Sequence, residues 1–293
     1  MLKDTFFHIK RTLNVGGKLI DLSSPKVMGI LNVTPDSFYS ESRFQSEKEI
    51  LSQAEMMMND GADFIDLGAY SSRVGAVDIS QEEELGRLIP AIKLLTAQFK
   101  EVIISVDTFR AEVAERAIEA GAHIINDISG GELDAKMFTT VAKLNVPYIL
   151  MHMKGTPQTM AGLNQYEDMI PEIFLYFSKK VNELKSLGVH DVILDPGFGF
   201  AKDIDQNFSL LSQLPSFSAL ELPMLIGLSR KSMIWRTLGI EPKEALNGTS
   251  VLHTLALQNG AAILRVHDVK EANECIKLLE RYQSSNKVFI PNH

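Results

Sequence analysis

Eight short apolar runs, each carrying a polar residue at or near its end, limit what this chain can fold into. They are 27–32 (VMGILN), 63–68 (DFIDLG), 102–107 (VIISVD), 123–128 (HIINDI), 147–152 (PYILMH), 192–197 (VILDPG), 224–229 (MLIGLS) and 263–267 (ILRVH). Each has strand length, and most are rich in Ile, Val and Leu. Amphipathic stretches at 46–59, 80–98, 110–120, 134–144, 167–187, 243–258 and 270–282 read as helices between them. Pro90 should disturb the second of these near its middle. Strand alternating with helix argues for parallel strands joined by crossover helices, with both faces of the sheet covered. Eight units fit a closed (β/α)8 barrel of the α/β class. An open doubly wound sheet is the alternative. The barrel is preferred because no G-x-G-x-x-G fingerprint follows the first strand. Residues 6–24, with Gly16-Gly17 between two β-prone stretches, read as an N-terminal β-hairpin closing the barrel floor. The division expected is a hairpin over 1–25, a barrel over 26–282 and a loose tail over 283–293.

Composition narrows the partners. Asp+Glu is 37 against Lys+Arg 29, a net charge of -8, which argues against a nucleic-acid partner. The one cysteine, Cys275, excludes an internal disulfide framework and a cysteine zinc cluster. Lying among Ala272, Ile276 and Leu279 at helical spacing, it reads as a buried thiol. No apolar run approaches the ~18 residues of a membrane span. Lys3, Lys10 and Arg11 interrupt the N-terminal region that a signal peptide keeps apolar. The expectation is a reduced, soluble, cytoplasmic protein with no membrane partner.

In a barrel of this kind the active site forms at the C-terminal ends of the strands. Those ends carry Asn32, Asp66, Asp107, Asn126, His152, Asp195, Ser229 and His267. Singly, each has a plain structural reading: Asp107 as a helix cap, Asp195 and Asn126 as turn formers. Together they describe a polar crown, which structure alone does not require. Residues two apart share a strand face, so Arg265 points with His267, and Ser105 with Asp107. Arg265, inside an apolar strand, must meet an anion, either a protein carboxylate or a ligand phosphate. Ser229-Arg230-Lys231-Ser232 opens a helix with two cations and two hydroxyls, which reads as an anion site, with a solvated basic turn as the alternative. Ser71-Ser72-Arg73 with Gly75 also suits a phosphate or carboxylate.

An acidic chain thus gathers Arg73, Lys231, Arg265 and His267 around one mouth, beside Asp107, Asp195, Asn32 and Asn126. The cations favour an anionic group at one end of a ligand. The acids and amides favour a flat heterocycle with N–H donors and ring acceptors at the other. Asn32 offers one hard oxygen, which suits a Mg²⁺ that keeps most of its waters and takes phosphate oxygens. There is no H-E-x-x-H, C-x-x-C or G-x-S-x-G. His8, His123, His190, His253 and His293 lack ligand spacing, and Met56-Met57-Met58 reads as helix packing.

These residues resemble the dihydropteroate synthase family. Ile30-Leu31-Asn32-Val33-Thr34-Pro35-Asp36-Ser37-Phe38 is similar to its first signature, and Asp66-Leu67-Gly68 with Ser71-Ser72-Arg73 and Gly75-Ala76 to its second. Further matches are Ser105-Val106-Asp107-Thr108, Ile125-Asn126-Asp127, Leu150-Met151-His152-Met153 and Leu194-Asp195-Pro196-Gly197-Phe198-Gly199-Phe200. Gly227-Leu228-Ser229-Arg230-Lys231-Ser232 and Arg265-Val266-His267-Asp268-Val269 complete the set, in family order over roughly 26–282. Any one is weak, but eight in order at strand ends are specific.

The resemblance implies a TIM barrel, a homodimer, and condensation of 6-hydroxymethyl-7,8-dihydropterin diphosphate with 4-aminobenzoate. By that likeness Asp107, Asn126, Asp195 and Lys231 hold the pterin, Arg265 stacks on it, and Ile128, Met151, Phe200 and Gly227 line its pocket. Asn32, Arg73, Arg265 and His267 match the diphosphate site, with Asn32 on Mg²⁺. Phe38, Ser72, Phe200, Lys231 and Ser232 match positions near the aminobenzoate, with Ser229 beside them. Asp107, Lys231, Arg265 and His267 are the expected catalytic set: charge stabilisation of the leaving group and of a cationic pterin, then attack by the arylamine.

The chain departs from the family pattern in places. Ser72 replaces a usual Thr and keeps its hydroxyl. Val74 replaces a usual Pro and frees its loop, which predicts altered sulfonamide sensitivity; equal inhibition constants for the natural chain and Val74→Pro would defeat this. Tyr70 stands where many relatives have an acid, and Trp235 where many have glycine, at a helix surface or a dimer contact. The loops 33–45 and 69–79 read as lids over the second substrate. The rival readings are a pterin-dependent methyltransferase domain passing a methyl group to a corrinoid, and a non-catalytic pterin-binding protein. A Schiff-base phosphosugar enzyme ranks lower still.

Overall fold

Eight parallel strands close into a barrel in a computed structural model of the chain, which describes residues 9–33, 43–70 and 78–285. The barrel is built from β3 (Lys26–Asn32), β4 (Phe64–Gly68), β5 (Ile104–Asp107), β6 (Ile124–Asp127), β7 (Tyr148–Met151), β8 (Val192–Asp195), β9 (Met224–Ile226) and β10 (Ala261–Val266). Neighbours in sequence are neighbours in space, and β10 pairs with β3 to close the ring. The helices are α1 (Arg43–Asn59), α2 (Gln81–Gln98), α3 (Ala111–Glu119), α4 (Met137–Leu144), α5 (Met169–Ser186), α6 (Ile204–Ser212), α7 (Ser232–Leu238), α8 (Leu246–Gln258) and α9 (Val269–Ser285). This is the (β/α)8 barrel that the alternation of runs implies.

The two faces of each strand have different tasks. Outward residues such as Val27, Leu67, Val106, Leu150 and Leu264 pack against the helices in one large core. Inward residues near the strand starts form a second core of Met28, Phe64, Ile124, Ile149, Ile193, Leu225 and Ile263. Two residues further along those same inward faces stand Asp66, Asn126, Met151, Asp195, Gly227 and Arg265. The barrel interior therefore turns from apolar to polar within one strand repeat.

A hairpin of β1 (Thr12–Val15) and β2 (Lys18–Asp21) plugs the apolar end. Leu13 and Val15, both inward on β1, join Leu22 in the second core. Gly16 and Gly17 make the turn with φ of 59° and 87°, a region glycine enters without a Cβ clash.

Several details differ from the sequence expectation. Pro90 lies inside an unbroken α2. The carbonyl that loses its helical donor belongs to Gly86, which is exposed, so water can take that bond. Helices α6 and α7 fall in stretches that periodicity did not mark, and the stretch 243–258 divides into a short 3₁₀ turn, Pro242–Glu244, and α8. Helix α9 runs on to Ser285, three residues into the segment expected as tail. Cys275 is buried as expected, against the helical core. No helix among the described residues is long and apolar enough to cross a membrane.

Candidate active site

Register builds the mouth. Asn32 pairs with Gly68, Gly68 with Asp107, and Asp107 with Asn126, so three polar side chains and one glycine line four of the eight strands, half of the barrel. A Cβ at Gly68 would stand 3.4 Å from the Asn32 amide oxygen and 3.7 Å from Cβ of Asp107. Glycine keeps that gap open.

Arg265 crosses the barrel and meets protein carboxylates. Its Nε donates to Asp66 Oδ2 at 2.6 Å, and its Nη2 to Asp107 Oδ2 at 2.9 Å. Asp66 also accepts from Asn126 Nδ2 at 3.1 Å. Two carboxylates, one amide and one guanidinium thus form a connected group on four strands. Burial pushes the Asp107 carboxyl up to about 7, and Asp66 beside it adds to that, while Arg265 pulls the other way. Burial works against the Arg265 charge, but Asp66 and Asp107 raise its pKa overall. Two fully buried oxygens in this layer, Asp66 Oδ1 and Ser105 Oγ, have no protein partner among the described residues. They leave hydrogen-bonding capacity beneath the mouth.

On the opposite wall Asp195 and Lys231 face one another. Burial raises the Asp195 carboxyl, and Lys231 opposes the rise. Burial lowers the Lys231 ammonium to about 8, against the pull of Asp195. Lys231 donates to the Phe198 carbonyl and lies 4.8 Å from the centre of the Phe200 ring. A Cβ at Gly227 would meet only the Lys231 Nζ, at 4.0 Å, so the space beside this glycine is open. Ile128, Met151, Met153, Met160 and Ala201 form a separate apolar patch, with Phe200 packed on it. Ser229 Oγ lies 3.1 Å from Nδ1 of His267 and accepts from the His267 backbone N–H at 3.2 Å. Ser232 begins α7, half-buried.

Asn32, Asp107, Asn126, Ile128, Met151, Asp195, Phe200, Gly227, Ser229, Lys231, Ser232, Arg265 and His267 therefore all sit at the C-terminal end of the barrel. Phe38, Ser72, Arg73, Val74 and most of both proposed lids lie outside the described residues.

Two expectations need correction. Arg230 is not a free cation at an anion site. It forks onto Asp268 with two contacts of 2.8 Å and caps the Lys243 carbonyl at 2.7 Å. Its φ of 53° and its backbone bond to Thr249 turn it away from the mouth. His152 also leaves the crown. It sits one residue beyond β7, so alternation points it outward among Tyr166, Tyr176 and Phe177.

The contacts of three residues were not foreseen from the sequence, and one of the three, Lys202, was not singled out at all. Asp66 was noted as a strand end, but its part in holding Arg265 was not foreseen. Lys202 is buried and touches His152; only its place after a glycine-rich turn hinted at it. The Tyr70 hydroxyl accepts from Gln158 Nε2 at 2.6 Å, and its ring lies edge-on to Phe109 at 5.0 Å. Trp235 is half-buried on the helical core with Arg236 over its ring at 5.0 Å.

The model of the pterin binding enzyme family matches residues 28–267. The chain belongs to the dihydropteroate synthase family of pterin-binding enzymes. It is 43% identical over 277 residues to the dihydropteroate synthase of Escherichia coli, covering 92% of this chain and 96% of that one. It is 42% identical over 256 residues to that of Bacillus subtilis, covering 87% of each. Among solved structures it is similar to the Yersinia pestis dihydropteroate synthase bound to a sulfonamide drug, with TM-score 0.86 and 38% identity over 94% of this chain and 99% of that one. The Xanthomonas albilineans dihydropteroate synthase in complex with 7,8-dihydropteroate gives TM-score 0.82 at 33% identity, over 94% and 99% of the two chains. Family membership makes this protein a transferase of folate synthesis.

Proposed function

We propose that this protein condenses 6-hydroxymethyl-7,8-dihydropterin diphosphate with 4-aminobenzoate, and that its mouth is divided into three parts. Asp107, Asn126, Asp195 and Lys231 take the edges of the pterin ring, and Ile128, Met151, Gly227 and Phe200 form its slot. Arg265 stacks on the ring. Asn32, Arg73, Arg265 and His267 take the diphosphate. Phe38, Ser72, Phe200, Lys231, Ser229 and Ser232 receive the aminobenzoate. The observation that carries this reading is the gathering of buried carboxylates with an amide and a lysine at one end of the barrel, where Gly227 leaves open space beside Lys231. A carboxylate facing two ring N–H groups is a strong and directional recogniser.

The chemistry follows from placement of charge. Departure of diphosphate leaves positive charge on the pterin CH₂ and ring. Asp107 and Asp195 lie where that charge develops and stabilise it without forming a bond. Arg265, fixed by Asp66 and Asp107, offers its remaining N–H groups to the leaving oxygens. The arylamine is already an unprotonated nucleophile near neutrality, so it needs orientation and not a general base. No Ser-His-Asp set is required.

Mg²⁺ fits this donor set. Among the described residues no three or more His, Cys, Asp or Glu side chains cluster into a metal cage. Asn32, exposed at the mouth, offers one neutral oxygen, which suits an ion that keeps its waters and takes its other ligands from diphosphate. When bound, it would offset the negative charge on the leaving group.

The protein would act as a cytoplasmic homodimer. The buried free thiol of Cys275 suits a reducing compartment. Val251 and Leu255 on α8 and Leu278 and Tyr282 on the adjoining α9 are 53%, 41%, 73% and 59% exposed, an apolar face suited to a second copy. Leu278→Asp should shift sedimentation from dimer to monomer; an unchanged profile would reject this surface.

Diphosphate release tests the function. It should depend on 4-aminobenzoate, yield dihydropteroate and collapse in Lys231→Ala. Tight pterin binding without turnover would favour a methyltransferase domain or a binding protein instead.

A further inference from the structure

We infer that Lys202 is a positioning residue that fixes Phe200 at the mouth by holding the carbonyls of its loop from behind. The loop Gly197–Lys202 follows β8 and has an unusual backbone. Gly197, Gly199 and Ala201 have φ of 71°, 77° and 48°. Left-handed residues at every second position turn the carbonyls of Gly197 and Phe200 toward the buried side of the loop, where Lys202 meets them. Lys202 is 8% exposed and fills that inside. Its Nζ donates to the Gly197 carbonyl at 3.0 Å and to the Phe200 carbonyl at 3.0 Å. Nδ1 of His152 occupies its third direction at 3.2 Å. An ammonium has three N–H groups, so every donor is used.

His152 fits this role because it is neutral. Burial holds it well below the usual imidazole range, and the Lys202 charge pushes the same way. It therefore presents a lone pair toward the lysine. The His152 carbonyl lies 2.1 Å from where a Cβ on Gly197 would stand, so β7 and the loop are in backbone contact. Two lysines thus share one loop. Lys231 takes the Phe198 carbonyl from the mouth side, and Lys202 takes those of Gly197 and Phe200 from the rear. Tyr166 donates to Ala201 O at 3.0 Å, and Asn207 accepts from Gly199 N at 2.7 Å.

An apolar residue at 202 would be easier to bury, but it would leave two carbonyls unpaired. The charged groups facing Lys202 are Asp195 on β8, Lys231 before α7 and Lys154 after β7. Burial among them lowers the lysine to about 7. The neutral amine still has two N–H groups for the two carbonyls and accepts from the Nδ1–H tautomer of His152, so the loop stays held on both sides of that pH.

The inference rests on the aminobenzoate site proposed above, where Phe200 forms one wall. Its test is a double-mutant cycle of Lys202→Met and Phe200→Ala at saturating pterin diphosphate. Lys202→Met should raise the KM for 4-aminobenzoate about ten-fold, more than it lowers kcat. With Phe200 already replaced by Ala, the same change should add less than about two-fold, because the group it positions is gone. A Lys202→Met enzyme within about two-fold of the natural one, or an equal effect in both backgrounds, would overturn the inference. Should Lys202→Met fail to fold, Lys202→Gln keeps two N–H donors. It should raise the KM for 4-aminobenzoate by a smaller factor that disappears once Phe200 is Ala; a KM equal to that of the natural enzyme, or an equal rise in both backgrounds, would overturn the inference. A natural enzyme that does not turn over 4-aminobenzoate would refute the proposed function, not the role of Lys202.

Discussion

Asp66→Asn isolates how the barrel accommodates its buried guanidinium. Asp66 is fully buried and accepts from both Arg265 and Asn126. Asparagine keeps the shape and one acceptor oxygen but removes the charge opposite Arg265. Breaking a buried ion pair by removing one partner costs about 3–5 kcal/mol. Here Arg265 keeps Asp107 at 2.9 Å and its side chain is 22% exposed, so water and the second carboxylate recover part of that. The expected loss is about 2–3 kcal/mol. With an unfolding entropy of about 2.1 cal/mol/K per residue, a chain of this size should lose about 4 °C in Tm. Urea unfolding should show a lower midpoint with an unchanged slope. A loss under about 0.5 kcal/mol would mean that Asp66 is not what holds Arg265.

Two other perturbations probe the charges. Asp107 has its folded pKa raised to about 7, while an unfolded Asp ionises near about 4. Between those values the native state keeps a proton that the unfolded chain has released, so this group lowers stability as pH rises through the window. Asp107→Asn should flatten that fall in urea titrations across the window; an unaltered pH slope would contradict it. Arg230→Ala should cost about 1–2 kcal/mol by urea unfolding, because it removes a bidentate carboxylate pair. It should leave diphosphate affinity unchanged by calorimetry, and a large affinity loss would restore Arg230 to the anion site.

Much of this was legible in the strand runs. The eight apolar runs specified the barrel because each needs cover on both faces, and Gly16-Gly17 specified the hairpin because both residues adopt positive φ. Alternation placed Arg265 and Asp107 inward, and the demand that Arg265 meet an anion was sound. Which anion was not legible, since the bond to Asp66 joins residues 199 apart in sequence. Helix α6 was readable and missed: Asp203 and Gln206 form a capping box that announces it. Two residues were misplaced, His152 in the polar crown and Arg230 at the anion site, and each has its own cause. His152 lies one residue past the inward-facing Met151, and Arg230 is turned by a left-handed backbone, which no side-chain pattern reveals. Lys202 was invisible for the opposite reason. A lysine in a polar loop reads as solvated, and only the folded loop brings three acceptors to one ammonium.

If buried acids recognise the pterin ring as proposed, they should do so independently of its diphosphate. Calorimetric titration of 6-hydroxymethyl-7,8-dihydropterin, which carries no phosphate, into the natural protein and Asp195→Asn tests it most directly. The natural protein should bind it, and the variant should lose about 2–3 kcal/mol, the cost of removing a charged hydrogen-bond partner. Equal affinity for both proteins, or no binding without the diphosphate, would contradict it.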